Sequence, residues 1–282
     1  MILIADSGST KTDWRLNDDK KQVHQFRTSG LNPYFLSSEE IAGKIQSELI
    51  LPVSPDDIGE IFFYGAGCSS EEKCNEVERG MHKIFPKSKI VVQHDLLAAC
   101  HALCGREEGI VAILGTGSNS CLYDGEKIVD QVPSLGFILG DEGSGTHIGK
   151  KILQSVYYRE CPEHLAKRFN ERFHLSKEDV LEAIYKKPLP NQYLASFTQF
   201  AFQNRNEPLI SKMVYDSFTE FFDRHITKYN DYRKMKIHCT GSVGYNFADV
   251  LRRVAVEKGM QVGKITESPI AGLMLYHLGE QN

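Results

Sequence analysis

The chain has 282 residues, with 33 Lys and Arg against 37 Asp and Glu, and a formal net charge of −4. Hydrophobic residues at 41% and charged residues at 25% exclude a largely disordered chain, and the acidic balance argues against a protein that binds nucleic acid by neutralising phosphates. At roughly 150 residues per domain the length suggests two domains, and no run approaches the roughly 20 apolar residues that span a bilayer.

The chain opens with strand, turn, strand. Residues 1–5 are a continuous apolar run, Asp6-Ser7-Gly8-Ser9-Thr10 has turn chemistry, 12–16 resumes, and 22–28 reads as a third strand. Helical spacing comes next over 38–50 and 70–85, with Glu71-Glu72 after Ser70 suiting a helix start. Residues 60–64 and 89–93 read as short buried strands, and a helix over 95–104 begins directly after the second. The opening pattern then returns: 110–114 is apolar, Gly115-Thr116-Gly117-Ser118-Asn119 is a turn, and strands continue over 120–123 and 127–132 across an Asp124-Gly125 hairpin. Two related domains, each presenting a glycine turn, are expected from this repeat. Beyond Gly143 helices are expected over 145–159, 162–173, 176–185, 193–204 and 209–229. A strand over 236–240, a turn over 241–244, and helices over 247–258 and 270–278 complete an α/β chain.

Three glycine turns come directly after apolar strands: Asp6 to Lys11, Gly115 to Ser118, and Thr240-Gly241-Ser242-Val243-Gly244. Glycine lets a backbone approach a phosphate closely, and free N–H groups with Ser/Thr hydroxyls cradle its oxygens. None is a Walker loop or a dinucleotide fingerprint. Asp6 suits a ligand to the water shell of Mg²⁺, or a turn cap. Asp141, in Gly140-Asp141-Glu142-Gly143-Ser144-Gly145, suits a substrate hydroxyl, or plain capping of the next helix. Asp95 sits where a strand meets a helix; it suits a proton acceptor, or again a cap. The histidines show no metal-ligand spacing, Trp14 reads as packing, and the aromatics from Tyr193 to Tyr229 read as helix core or as a face for a second copy, a homodimer. The start of the chain lacks a secretory pattern and the seven cysteines are scattered, so reduced thiols and a cytoplasmic protein are expected.

Together the three turns resemble the two phosphate motifs and the adenosine motif of the actin/hexokinase/heat-shock ATPase superfamily, in order and in separation. Leu114-Gly-Thr-Gly-Ser-Asn119 and Leu139-Gly-Asp-Glu-Gly-Ser144 are closest to the BadF/BadG/BcrA/BcrD ATPase family, in the branch that includes N-acetylglucosamine kinases. The resemblance runs from residue 1 to about 278. It implies two duplicated RNase H-like (actin-like ATPase) domains with an interdomain cleft, over 1–109 with a returning helix in 268–282, and over 110–267. It implies ATP and Mg²⁺, with Gly8, Ser9, Thr10, Lys11, Gly115, Thr116, Gly241, Ser242 and Gly244 on the nucleotide and Asp6 on the metal. Asn32, Thr116, Gly117, Asn119 and Asp141 would hold an aminosugar, and Asp95 would be the base. Phosphorylation of N-acetylglucosamine at O6 is expected, with glucosamine or N-acetylmuramate as alternative acceptors; an activator ATPase of the 2-hydroxyacyl-CoA dehydratase type and a non-catalytic sugar sensor are the rival functions. The first motif departs from the family in reading Asp-Ser-Gly where Asp-Gly-Gly is common.

Overall fold

A computed structural model describes residues 1–8 and 10–279. Contacts divide the chain into two compact units, Met1–Arg106 joined by the segment from Pro269 onward, and Glu107–Ser268.

The first unit is built on β1 (Ile2–Ser7), β2 (Lys11–Asn17), β3 (Val23–Ser29), α1 (Ser38–Glu48), β4 (Glu60–Gly65), α2 (Glu71–His82), β5 (Lys89–His94) and α3 (Asp95–Leu103). Its sheet has the order β3-β2-β1-β4-β5. The fully buried run Leu3-Ile4-Ala5 makes β1 a central strand, covered on both faces. It pairs antiparallel with β2 and parallel with β4, which pairs parallel with β5. The carboxyl ends of β1, β4 and β5 therefore share one edge. Ser37 and Glu40 close a capping box on α1, and Ser70 caps α2. Trp14 is buried and donates to Thr28 Oγ1 at 3.0 Å, so it is a packing residue.

The second unit holds β6 (Gly109–Leu114), β7 (Ser118–Tyr123), β8 (Ile128–Asp130), α4 (Gly136–Leu139), α5 (Gly145–Tyr157), α6 (Glu163–Phe173), α7 (Lys177–Tyr185), α8 (Pro190–Ser196), α9 (Thr198–Gln203), α10 (Pro208–Arg224), β9 (Lys236–Thr240), α11 (Ser242–Asn246), α12 (Ala248–Glu257) and β10 (Gln261–Thr266). Counted from β8, its sheet runs β8-β7-β6-β9-β10, with the antiparallel and parallel pairings of the first unit repeated. The RNase H-like topology is thus duplicated. Where the first unit has α1 alone, the second carries α4 to α10. Phe197, Phe200, Phe218, Phe221, Phe222 and Tyr229 are buried in its core, so they are interior rather than a face for a second copy.

The structure departs from the sequence pattern at four places. Strand β10 has no clear signal in the sequence, because Gly263 interrupts it and a register shift separates Val262 from Ile265. The glycine is required there: the His238 ring lies where its Cβ would be. The helix expected over 193–204 breaks at Phe197 into α8 and α9, and that over 209–229 ends at Arg224, with a tight turn over Ile226–Lys228. The third glycine turn continues directly into the short helix α11.

The final helix α13 (Ile270–His277) returns to the first unit and packs on α3. A Cβ on Gly272 would come within 2.5 Å of the Ala102 carbonyl oxygen, so the two helices cross in backbone contact. The Tyr64 hydroxyl joins them, at 2.9 Å from His101 Nδ1 and 2.8 Å from His277 Nε2. Among the described residues no helix is long and apolar enough to cross a membrane.

Candidate active site

In the first unit the glycine turn, Asn32 and Asp95 gather at the carboxyl edge of the parallel strands. Asp6 lies level with Tyr64 of β4, and Tyr64 with Gln93 of β5, so Asp6 is two strand spacings, about 10 Å, from Gln93, two residues before Asp95. Burial drives the Asp95 carboxyl up to about 6, against the pull of the Leu96 and Asp95 N–H groups. Asp6 is pushed up to about 7 by burial and then by the charges of Asp95 and Asp13, with Lys11 opposing. The cap of α3 is His94, whose Nδ1 accepts the Leu97 N–H at 3.3 Å. Asp95 is the first helical residue, so the capping role weighed for it falls to its neighbour.

The turn closes with Gly8 N–H donating to the Lys11 carbonyl at 2.9 Å. Ser7, in sequence only a departure from the family's usual glycine, has a structural task. Its hydroxyl meets Thr12 Oγ1 at 2.8 Å and accepts the Leu31 N–H at 3.0 Å, while Gly30 N–H donates to the Thr10 carbonyl. These bonds fix the segment carrying Asn32 beside the turn. Asn32 Oδ1 accepts the Tyr34 N–H at 2.9 Å and fills the space beside Gly67, whose φ is +87°. Gly67 and Tyr34 are additions to the residues singled out by sequence; the one readable signal for them is Gly65-Ala66-Gly67 directly after a buried strand. Lys11 is paired with Asp13 at 3.0 Å, an engagement that competes with a phosphate. Ser9 lies outside the described residues.

In the second unit three turns converge. Gly145 N–H donates to the Gly115 carbonyl at 2.8 Å, and Thr146 N–H to the Thr116 carbonyl at 3.0 Å. A Cβ on Gly117 would stand 3.0 Å from both Asp141 carboxyl oxygens, and Ser118 N–H donates to Asp141 Oδ1 at 3.1 Å. Asp141 is buried, and burial raises its carboxyl above the ordinary range. Ser144 caps α5 through His147 N–H, so the capping role weighed for Asp141 is also excluded. Asn119, half-buried in β7, uses its carbonyl on Ser120 N–H and Gln131. Gly241, with φ +110°, abuts Leu114, and its N–H donates to the Thr266 carbonyl. Gly244 leaves room for Cys239 Sγ. Ser242 is exposed at the start of α11.

The glycines separate into two kinds. Gly67, Gly117, Gly241 and Gly244 are required by neighbouring protein atoms. At Gly115 a Cβ would meet nothing within 4 Å, and at Gly8 only the Lys11 carbonyl at 3.7 Å, among the described residues. These two open glycines occupy equivalent places in the duplicated fold, between β1 and β2 and between β6 and β7. Both leave room for a group from outside the protein to approach the backbone.

Titration of the buried groups gives a stability prediction. Burial drives His101, His277, His147 and His238 each down to about 4. In the unfolded chain they take protons near 6.5. Between those values the unfolded state binds more protons, so stability falls as pH drops from about 6.5 toward 4. Asp6 and Asp95 act in the opposite sense, but four imidazoles outweigh two carboxyls. The melting temperature should therefore decline steadily from pH 7 to pH 5. A flat or rising profile would show these imidazoles to be solvated.

Residues 5–274 match the BadF/BadG/BcrA/BcrD ATPase family. The chain belongs to that family. Its fold superposes on a candidate N-acetylglucosamine kinase from Porphyromonas gingivalis with a TM-score of 0.95, at 39% identity over 99% of each chain. It is 27% identical over 213 residues to an N-acetylmuramic acid/N-acetylglucosamine kinase from Clostridium acetobutylicum, spanning 70% of this chain and 68% of the relative. A glucosamine kinase from Vibrio cholerae is 31% identical over 104 residues, 37% of this chain and 35% of the relative.

Proposed function

We propose that this ATPase-family chain phosphorylates an aminosugar, with N-acetylglucosamine as acceptor and O6 as the attacking hydroxyl. The observation that carries the reading is Asp95: a partly buried carboxylate, relieved of capping by His94, at the carboxyl edge of the parallel strands. A base held near 6 is ionised at neutral pH yet retains affinity for a proton. Asp95 takes the hydroxyl proton as the sugar oxygen attacks the γ-phosphorus of ATP; the bond from that phosphorus to the bridging oxygen breaks, and ADP leaves. The open glycines Gly8 and Gly115, with Thr10 and Thr116, offer backbone and hydroxyl groups to the phosphates, and Gly241, Ser242 and Gly244 receive the adenosine. Asn32, Gly117, Asn119 and Asp141 orient the sugar.

The residues suit Mg²⁺ held largely through water and phosphate. Burial and the neighbouring carboxylates push Asp6 up to about 7, a cost of ionisation that a divalent ion offsets. Among the described residues no group of three or more His, Cys, Asp or Glu forms a metal cage, which fits an ion bound mainly by its waters and the nucleotide. Mg²⁺ supplies charge neutralisation for the transferring phosphoryl group.

The test is an acceptor panel with ATP: N-acetylglucosamine, glucosamine, N-acetylmuramate, glucose and N-acetylmannosamine, with product identified by mass and the linkage by NMR. We expect N-acetylglucosamine 6-phosphate as the main product. Preference for N-acetylmuramate or glucosamine would change the acceptor and keep the chemistry. Transfer to none of the five, with ATP bound, would overturn the kinase reading.

A further inference from the structure

One face of α10 is spent on a single turn. Ser217, Glu220, Phe221 and Arg224 have the i, i+3, i+4, i+7 spacing of a helical stripe, and His225 caps it. Every one of them meets the segment 141–147 or its first helical turn. Gly143 N–H donates to Ser217 Oγ at 3.2 Å, and Ser217 Oγ lies 2.7 Å from His147 Nδ1. Gly143 N–H also reaches His147 Nδ1 at 3.4 Å, so Nδ1 is an acceptor: the Ser217 hydroxyl donates to it, and the proton on Nε2 faces Glu220 at 3.5 Å. Glu220 also takes Lys151 at 2.8 Å. Glu142, buried, is held by Arg224 Nε and His225 Nε2, each at 3.3 Å. A Cβ on Gly143 would come 3.0 Å from the Phe221 Cβ.

The residue between these anchors and the Gly117 turn is Asp141. Its φ is +59°, a left-handed backbone that a non-glycine residue keeps only when its surroundings impose it. Its own side-chain partners, Ser118 N–H and Ser134 Oγ, fix the carboxylate but not the backbone twist. The next three residues impose the twist. Glu142 and Gly143 are both tied to α10 or its cap, and Ser144 N–H returns to the Asp141 carbonyl at 3.1 Å.

We propose that the α10 stripe is a positioning device for Asp141, in which Ser217 and Glu142 hold the turn that aims its carboxylate and so set the affinity for the acceptor sugar. The inference rests on the aminosugar-kinase reading and adds residues to it. Neither Ser217 nor Glu142 touches the acceptor; both act through Asp141.

The experiment is a kinetic double-mutant cycle with N-acetylglucosamine varied at saturating ATP, and ATP varied at saturating sugar. Glu142→Gln and Ser217→Ala should each raise the acceptor KM about 5- to 30-fold, the order expected for one lost buried hydrogen bond, with the ATP KM unchanged. In an Asp141→Asn background neither should raise it further, because the route of their action is already gone. Ser217→Ala introduces no unpaired buried charge, so it keeps the test open should Glu142→Gln fold poorly. Additive effects in the double mutants, or a lower melting temperature with the acceptor KM unmoved, would overturn the inference while leaving the kinase reading intact. A wild-type chain that transfers phosphate to no sugar would overturn both, and is recognised by the inactivity of the unmutated protein.

Discussion

Asp95→Asn should lower kcat by roughly 10²- to 10⁴-fold, the contribution typical of a positioned general base, while ATP affinity changes little. The substitution keeps the size and the hydrogen-bonding outline of the side chain and removes only its capacity to accept a proton. It also leaves the cap of α3 in place, because that cap is His94. The melting temperature should hold or rise, since a carboxyl that burial drives up to about 6 is costly to keep ionised at neutral pH. The wild-type pH profile supplies a second reading of the same residue. The base works deprotonated, so kcat/KM should fall as pH drops through about 6, and the variant should lose that acid limb along with its rate. Turnover near wild type in Asp95→Asn would remove the residue from the chemistry. A rate loss with the acid limb retained would move the base elsewhere, with Asp6, held near 7, the next carboxyl to test.

The duplicated sheets are legible in the sequence because the repeat is carried by strong local signals. Apolar runs, glycine turns and an Asp-Gly hairpin need no knowledge of distant partners. Features decided at a distance escape such reading. Strand β10 is weak by pattern, since Gly263 answers to the His238 ring on the neighbouring strand. The break at Phe197 answers to aromatic packing with Phe169, Phe173 and Tyr193. The site shows the same division. The glycine turns and the three aspartates stand out by their place after apolar runs, but which of them cap helices does not. Ser144 and His94 take the caps beside Asp141 and Asp95, and only the backbone geometry separates cap from neighbour. Ser217 is illegible for a further reason: it matters through contacts to Gly143 and His147, both far away in sequence.

Gly241→Ala and Gly115→Ala should fail in opposite ways, and the contrast tests why each glycine is there. At Gly241 φ is +110°, and an added Cβ would lie 2.7 Å from the Leu114 carbonyl carbon and closer still to its oxygen. Leu114 ends the central strand β6, paired across to Ser118, so the obstacle is backbone that cannot withdraw. We expect Gly241→Ala to cost about 2–4 kcal/mol of stability, read by denaturant unfolding, with nucleotide binding weakened as the turn is displaced. At Gly115 the same methyl group would enter open space, so the fold should be untouched within about 0.5 kcal/mol. If that space is where phosphate oxygens approach the backbone, Gly115→Ala should nonetheless weaken ATP binding at least about tenfold, measured by titration calorimetry. Unchanged ATP affinity in a stable Gly115→Ala protein would take the phosphate away from this turn. Unchanged stability in Gly241→Ala would mean that the close approach to Leu114 is not rigid, and that this glycine too is held for the nucleotide.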